Sequence, residues 1–441
     1  MIKTGANLKV FYENMTHLTC MVHGLHLVSE AIRLNYPDVN GIISNVKKIF
    51  LKAPIGIEFY KKNLPNTPLP PEPVLTSLLW PDDGTELNPG RNYIVKILCF
   101  FLCTGLMTAL TTIHFLLAII NDEELNTEEI AVLIAAYGTY YMICAYIKNQ
   151  RQVALLLRDL SQFENFGKPP GFEKKDKQLN LCVKMLVAYS FTGTVVYSSM
   201  KLFEKGKCKA FHLERKSNGN YCGLIAPFWL PFEIDYFPVF HLWLLYGFLA
   251  ACLLLKMCLH ISFNALEIAH HIILRIHHLR IMFLECFNSG SNQIIRVKLA
   301  TCVLYHKEIL ELIMRLDDIF FNSMFGHFAL TGTICACLEK QIVDGYNVYA
   351  GTVHFIGWIL ALFIGCVGGQ HLLNANEVIP NALWISNWYT ADVRIKRDFL
   401  FILTRSHKDF YIRAGPFGVL SYPLFVSVLK ASYSILCLLS S

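Results

Sequence analysis

Charge is scarce in this sequence. Only 16% of its 441 residues are Asp, Glu, Lys or Arg, and 54% are hydrophobic. Ordinary globular proteins carry about 25% charged residues. With a mean hydropathy of +0.41 the composition is that of an integral membrane protein. The excess of positive charge is a modest +6, and no nucleic-acid partner is expected. Metal motifs are also missing. The fifteen cysteines include no Cys-x-x-Cys pair, and most lie in apolar stretches, where Cys acts as a small hydrophobe. Phosphate-loop, nucleophile-elbow and His-Glu-x-x-His patterns are absent. No catalytic constellation, cofactor or metal is expected, and so no enzyme. The N-terminus lacks the basic start, apolar core and small-residue site of a cleavable signal.

What the chain has is long apolar runs, at about 94–120, 130–147, 180–202, 237–259, 319–339, 348–373 and 416–439. A span needs ~20 apolar residues. Within hydrocarbon each must be helical, because every backbone polar group needs an internal partner. The expected fold is therefore all-α with seven transmembrane helices. Lys and Arg in the short loops orient them. Residues 121–129 contain no Lys or Arg, and 340–347 contain only Lys340. Residues 148–179 hold Lys148, Arg151, Arg158, Lys168, Lys174, Lys175 and Lys177. Six more basic residues precede the last span. This pattern puts the N-terminus in the cytosol and the C-terminus outside. The loop at 203–236 dissents with Lys205, Lys207, Lys209, Arg215 and Lys216, but longer loops weigh less.

The domain reading follows. Residues 1–73 form a cytosolic extension ending in the Pro-rich LPNTPLPPEP, and 74–259 hold spans one to four. Residues 260–318 are amphipathic extensions of helices four and five, packed together in the cytosol. Spans five and six occupy 319–373, a charged cytosolic anchor 374–413, and the last helix 416–441. His260, His270, His271, His277 and His278 cluster on the first extension, where a solvated polar face is the expected reading. Glu267, Glu311, Asp317 and Asp318 are placed on charged helix faces as well.

Polar aromatics mark the outer halves of several spans. The second has Tyr137 and Tyr140, the fourth has Phe240 and His241 with Leu244 beside them, and the sixth has Tyr346 and Tyr349. In the third, Ser190, Gly193 and Tyr197 share one helical face. Such groups either line an apolar ligand cleft or belong to the interfacial aromatic belt. Cys208 and Cys222 are a disulfide pair or two free thiols. On the last helix Ser427, Ala431, Ser434, Leu438 and Ser441 recur at spacings of 4, 3, 4 and 3. That stripe lines a pore with Leu438 as a dewetting constriction, or it is a small-residue packing face. Lys430 beside it favours the pore, since an intramembrane Lys needs water.

Three segments carry a family resemblance: GGQHLLNANEVIPNALWISNWY (368–389), RDFLFILTRSHKDFYIRAGPFGVLS (397–421) and FVSVLKASYSILCLL (425–439). LTSLLWPDDGTELN (75–88) adds to them. In that order the chain resembles an insect odorant receptor over about 74–441. The resemblance implies a ligand-specific tuning subunit of a heterotetrameric, odorant-gated, non-selective cation channel. Its obligate partner would be the odorant receptor co-receptor. Volatile ligands would bind in the outer half among helices two, three, four and six, and the seventh helices would line the pore with Leu438 as gate. The site would be the plasma membrane of olfactory sensory neuron dendrites, in contact with lipid. The alternative is a seven-helix G-protein-coupled chemoreceptor, which would place the N-terminus outside.

Overall fold

The computed structural model describes residues 91–121, 127–214, 222–288, 291–345 and 347–440. The extension at 1–73, Tyr346 and Ser441 lie outside these residues. The long helices are α1 (Arg91–Ile120), α2 (Thr127–Ser161), α3 (Phe172–Phe203), α5 (Val239–Cys286), α6 (Asn292–Val343), α7 (Val348–Asn374) and α10 (Tyr422–Ser440). Three shorter ones are α4 (Lys205–Glu214), α8 (Val378–Ile385) and α9 (Val393–Ser406). No strand occurs among the described residues. Among the described residues, seven helices are long and apolar enough to cross a membrane.

α1 shows why the sequence folds this way in lipid. Leu98, Leu102 and Leu106 point outward, while Thr104, Thr108 and Thr111 are buried. Each inward hydroxyl donates to the carbonyl four residues before it, Thr104 to Phe100 at 2.8 Å and Thr108 to Thr104 at 3.0 Å. A hydroxyl satisfied within its own helix can face either protein or hydrocarbon at little cost.

Helices α5 and α6 have 48 and 52 residues. At about 1.5 Å per residue each is over 70 Å long, more than twice the ~30 Å hydrocarbon core. α6 is the central post and packs against α2, α5, α7 and α10. Its contacts include fully buried Tyr305, Leu316 and Phe320. The expectation of a solvated histidine face fails here. His260, His270 and His271 are buried and only His277 is exposed. α5 is enclosed by α2, α3, α6, α7 and α8 on several sides, so His260 and His270 find partners instead of water. His371 Nδ1 lies 3.3 Å from His270 Nε2, and Asn264 bonds His260 at 3.1 Å. Asp317 is buried too, against Arg413.

The motif-rich end of the chain folds back as a tight turn. Leu420 N–H donates to the Ile412 carbonyl and Ala414 N–H to that of Gly418, each at 2.8 Å. Gly415 and Gly418 take φ of +56° and +115°, a region open to glycine. Gly369 of α7 sits against the backbone of Leu420, where a side chain has no room. Asn376 closes the unit by accepting from Phe410 N–H at 2.7 Å and donating to the Phe410 carbonyl at 3.2 Å.

Candidate ligand cavity

A cavity of about 160 Å³ lies among α2, α3, α5 and α7, with Met107 of α1 and the Ile225–Ala226 segment closing it. Its walls are mostly apolar. Val132, Ala135 and Ala136 come from α2, Leu254, Leu255 and Leu259 from α5, and Val353 and Ala361 from α7. The polar side chains in the wall are Thr139, Tyr189, Ser190, Thr194, Tyr197 and His354, with the indole of Trp358.

Ser190, Gly193 and Tyr197 line this cavity together. Their spacing turns one face of α3 towards α7, where a Cβ on Gly193 would stand 3.7 Å from Val353 Cγ1. The Ser190 hydroxyl donates to the Val187 carbonyl at 2.9 Å, and Tyr197 donates to Glu128 Oε1 at 2.6 Å.

The other expected residues stand elsewhere. Tyr137 is 54% exposed and its hydroxyl pairs with Thr112 at 2.9 Å. Tyr140 pairs with Thr108 at 2.9 Å and joins α2 to α1. Both turn away from α3, because they lie on the α1-facing side of α2. Phe240 is buried beneath Lys205, whose Nζ is 3.4 Å from the ring centroid. His241 is exposed beside Phe237, Leu244 packs at the edge of the main core, and Tyr349 is 69% exposed.

Sequence reasoning passed over His354 and Trp358. They stand four apart on α7, and the indole N–H donates to His354 Nε2 at 3.0 Å. A lone histidine inside an apolar span was the available signal. It also passed over Glu128, read only as a loop acid. Glu128 belongs to the first turn of α2 and is 3% exposed. Lys201 donates to it at 2.5 Å and Asn347 at 3.1 Å. One carboxylate thus joins the starts of α2 and α7 to the end of α3. Its neighbour Glu129 bonds His114 of α1 at 2.8 Å. Just beyond, Cys208 and Cys222 form a disulfide with Cα atoms 5.7 Å apart. Lys205 and Lys209 both pair with Asp235, and burial lowers the Lys205 ammonium below its ordinary value.

On α10 the stripe of Ser427, Ala431, Ser434 and Leu438 is exposed along its length, as is Lys430. The other side of the helix, with Leu424, Phe425, Val428 and the buried Ser432, faces its own chain. α10 packs there on α6 and α7.

Among known proteins, residues 124–433 match the family described as 7tm Odorant receptor. Odorant receptor 82a of Drosophila melanogaster is 29% identical over 153 residues, 33% of this chain and 39% of that protein. Odorant receptor Or1 of Anopheles gambiae is 29% identical over 153 residues, 33% of this chain and 36% of that protein. The Odorant receptor coreceptor of Drosophila melanogaster is 29% identical over 131 residues, 29% of this chain and 27% of that protein. The match thus spans less than half the length of each of these relatives. The insect olfactory receptor OR5 from Machilis hrabei, solved in complex with eugenol, has a similar fold. Its TM-score is 0.66 at 13% identity, covering 83% of this chain and 94% of that one. With the family match spanning more than half of the sequence, the chain belongs to the 7tm odorant receptor family.

Proposed function

We propose that this chain is the tuning subunit of an odorant-gated, non-selective cation channel. It binds small volatile molecules in the cavity among α2, α3, α5 and α7 and works in a heterotetramer with the odorant receptor co-receptor. The observation that carries the reading is the cavity. It is largely apolar, with a few convergent polar groups, which is what a small lipophilic ligand requires. The relative of similar fold was solved with eugenol, and a coreceptor is among the similar sequences. The exposed Ser427–Ser434–Leu438 stripe supports a pore-lining role for α10, because it points away from the helices of its own chain. In this reading the N-terminus is cytosolic, and the long ends of α5 and α6 with α8 and α9 form a cytosolic anchor. The receptor resides in the plasma membrane of olfactory neuron dendrites.

The test is co-expression with the co-receptor and current recording against a panel of volatiles. Ligand-evoked cation current that needs both chains is the expected result. A receptor delivered to the surface with its partner, yet silent to every volatile, would overturn the reading.

A further inference from the structure

The cavity also specifies the chemistry of its ligand. Most of its donors are already committed to protein acceptors. Ser190 gives its proton to the Val187 carbonyl, Thr194 to that of Ser190, and Tyr197 to Glu128. The Trp358 indole donates to His354 Nε2 at 3.0 Å. An indole nitrogen only donates, so Nε2 must be the accepting nitrogen and the neutral imidazole carries its proton on Nδ1. That Nδ1–H is buried and has no hydrogen-bond partner. Buried polar groups of this kind are rare and costly unless something pairs with them. His354 belongs to the cavity wall, with the Tyr197 ring edge-on at 6.0 Å.

We infer that the cavity selects odorants bearing a hydrogen-bond acceptor oxygen, such as a ketone or ester, and that His354 Nδ1–H receives it. The inference rests on the odorant-pocket reading above. As a wall residue with this N–H unspent, His354 is the donor left for a ligand oxygen. The apolar walls then hold the hydrocarbon remainder.

The experiment uses the full chain with its co-receptor and a graded series of straight-chain methyl ketones. Each is paired with the analogue in which a C=CH2 group replaces the carbonyl, so that shape is nearly kept. On the wild type each ketone should be about tenfold more potent than its analogue, the worth of one such hydrogen bond. His354→Phe should abolish that gap, whatever it does to the potency of the pair as a whole. His354→Gln restores an N–H donor and should restore the gap, which separates hydrogen bonding from mere packing. Equal potency of ketone and analogue on the wild type overturns the inference, as does a gap that survives His354→Phe. A surface-expressed wild type that other volatiles open but no oxygen-bearing volatile does also overturns the inference, whereas silence to every volatile means that the odorant-pocket reading itself has failed.

Discussion

Arg413 grips Asp317 with both its backbone and its side chain. The backbone N–H, Nε and Nη2 donate to the one carboxylate at 2.7, 2.8 and 2.5 Å. This fork pins the turn before α10 to the middle of α6, so the last helix starts from a fixed point. Asp317→Asn keeps the shape but removes the charge that the guanidinium matches. Charge-assisted hydrogen bonds are roughly twice as strong as neutral ones, though solvent weakens the pair where Arg413 is exposed. A loss of about 1–2 kcal/mol is expected, read as a lower melting temperature of the detergent-solubilised protein. An unchanged melting temperature would mean the fork does not hold the turn.

Gly369 and Gly193 should respond oppositely to the same substitution. A Cβ at Gly369 runs into the backbone of Leu420, which cannot move aside as a side chain can. Gly369→Ala should destabilise by about 1–3 kcal/mol and shrink the monodisperse peak in size-exclusion chromatography. Gly193→Ala adds a methyl 3.7 Å from Val353 Cγ1, ordinary contact distance, and should fold normally. Gly193→Leu fills the cavity instead. Folding should persist while responses to larger ligands fall more than tenfold, an effect of the size that volume changes in apolar pockets produce. Equal folding yields for the Gly369 and Gly193 alanine variants would contradict the packing described.

These contrasts show what the sequence could and could not convey. The seven spans and the long α5 and α6 were legible, because hydropathy and helical period are properties of one segment at a time. The face shared by Ser190, Gly193 and Tyr197 was legible for the same reason. Which neighbour that face meets was not. That Lys205, from a distant stretch, covers the Phe240 ring was not legible either. Glu128 looked like a loop acid because its donors, Tyr197, Lys201 and Asn347, lie far along the chain. The histidines of α5 looked solvated because polarity is local information, whereas their burial depends on four or five other helices.

The tie between Tyr197 and Glu128 links the cavity wall to the ends of three helices. Tyr197→Phe keeps the ring in the wall and removes the 2.6 Å bond. A hydrogen bond to a charged group contributes about 1.5–3 kcal/mol, so the half-maximal ligand concentration should move by about tenfold or more. Surface expression should stay near normal. Lys201→Met is harsher, since it withdraws the counter-charge from a buried carboxylate, and surface expression should fall sharply. A tyrosine variant with unaltered dose–response would show that the tie is structural only.

The Cys208–Cys222 bridge gives a test of orientation. Disulfides persist on the oxidising side of a membrane, so the expected placement is extracellular. On intact cells a membrane-impermeant reductant followed by an impermeant maleimide should label these two cysteines, and Cys208→Ser with Cys222→Ser should abolish that label. The bridge closes a separation of 14 residues, and loops of that size are stabilised by about 3 kcal/mol in the chain-entropy account. The double serine variant should therefore also melt lower. Labelling without reductant would refute the bridge, and labelling only after permeabilisation would refute the placement.

Leu438 supplies the sharpest test of the pore reading. It is 75% exposed on a helix whose other side is packed against α6 and α7. In a water-filled pore a ring of leucines closes by expelling water, and a smaller side chain leaves the constriction wet. Leu438→Ala should raise resting current severalfold in the absence of ligand. Ser434→Leu, one turn back on the same exposed stripe, should lower the evoked current by extending the dry segment. The two changes have opposite signs, which separates a pore from a packing face. On a packing face both would disturb assembly and lower current together. Resting current that Leu438→Ala leaves untouched would remove Leu438 from the conduction path.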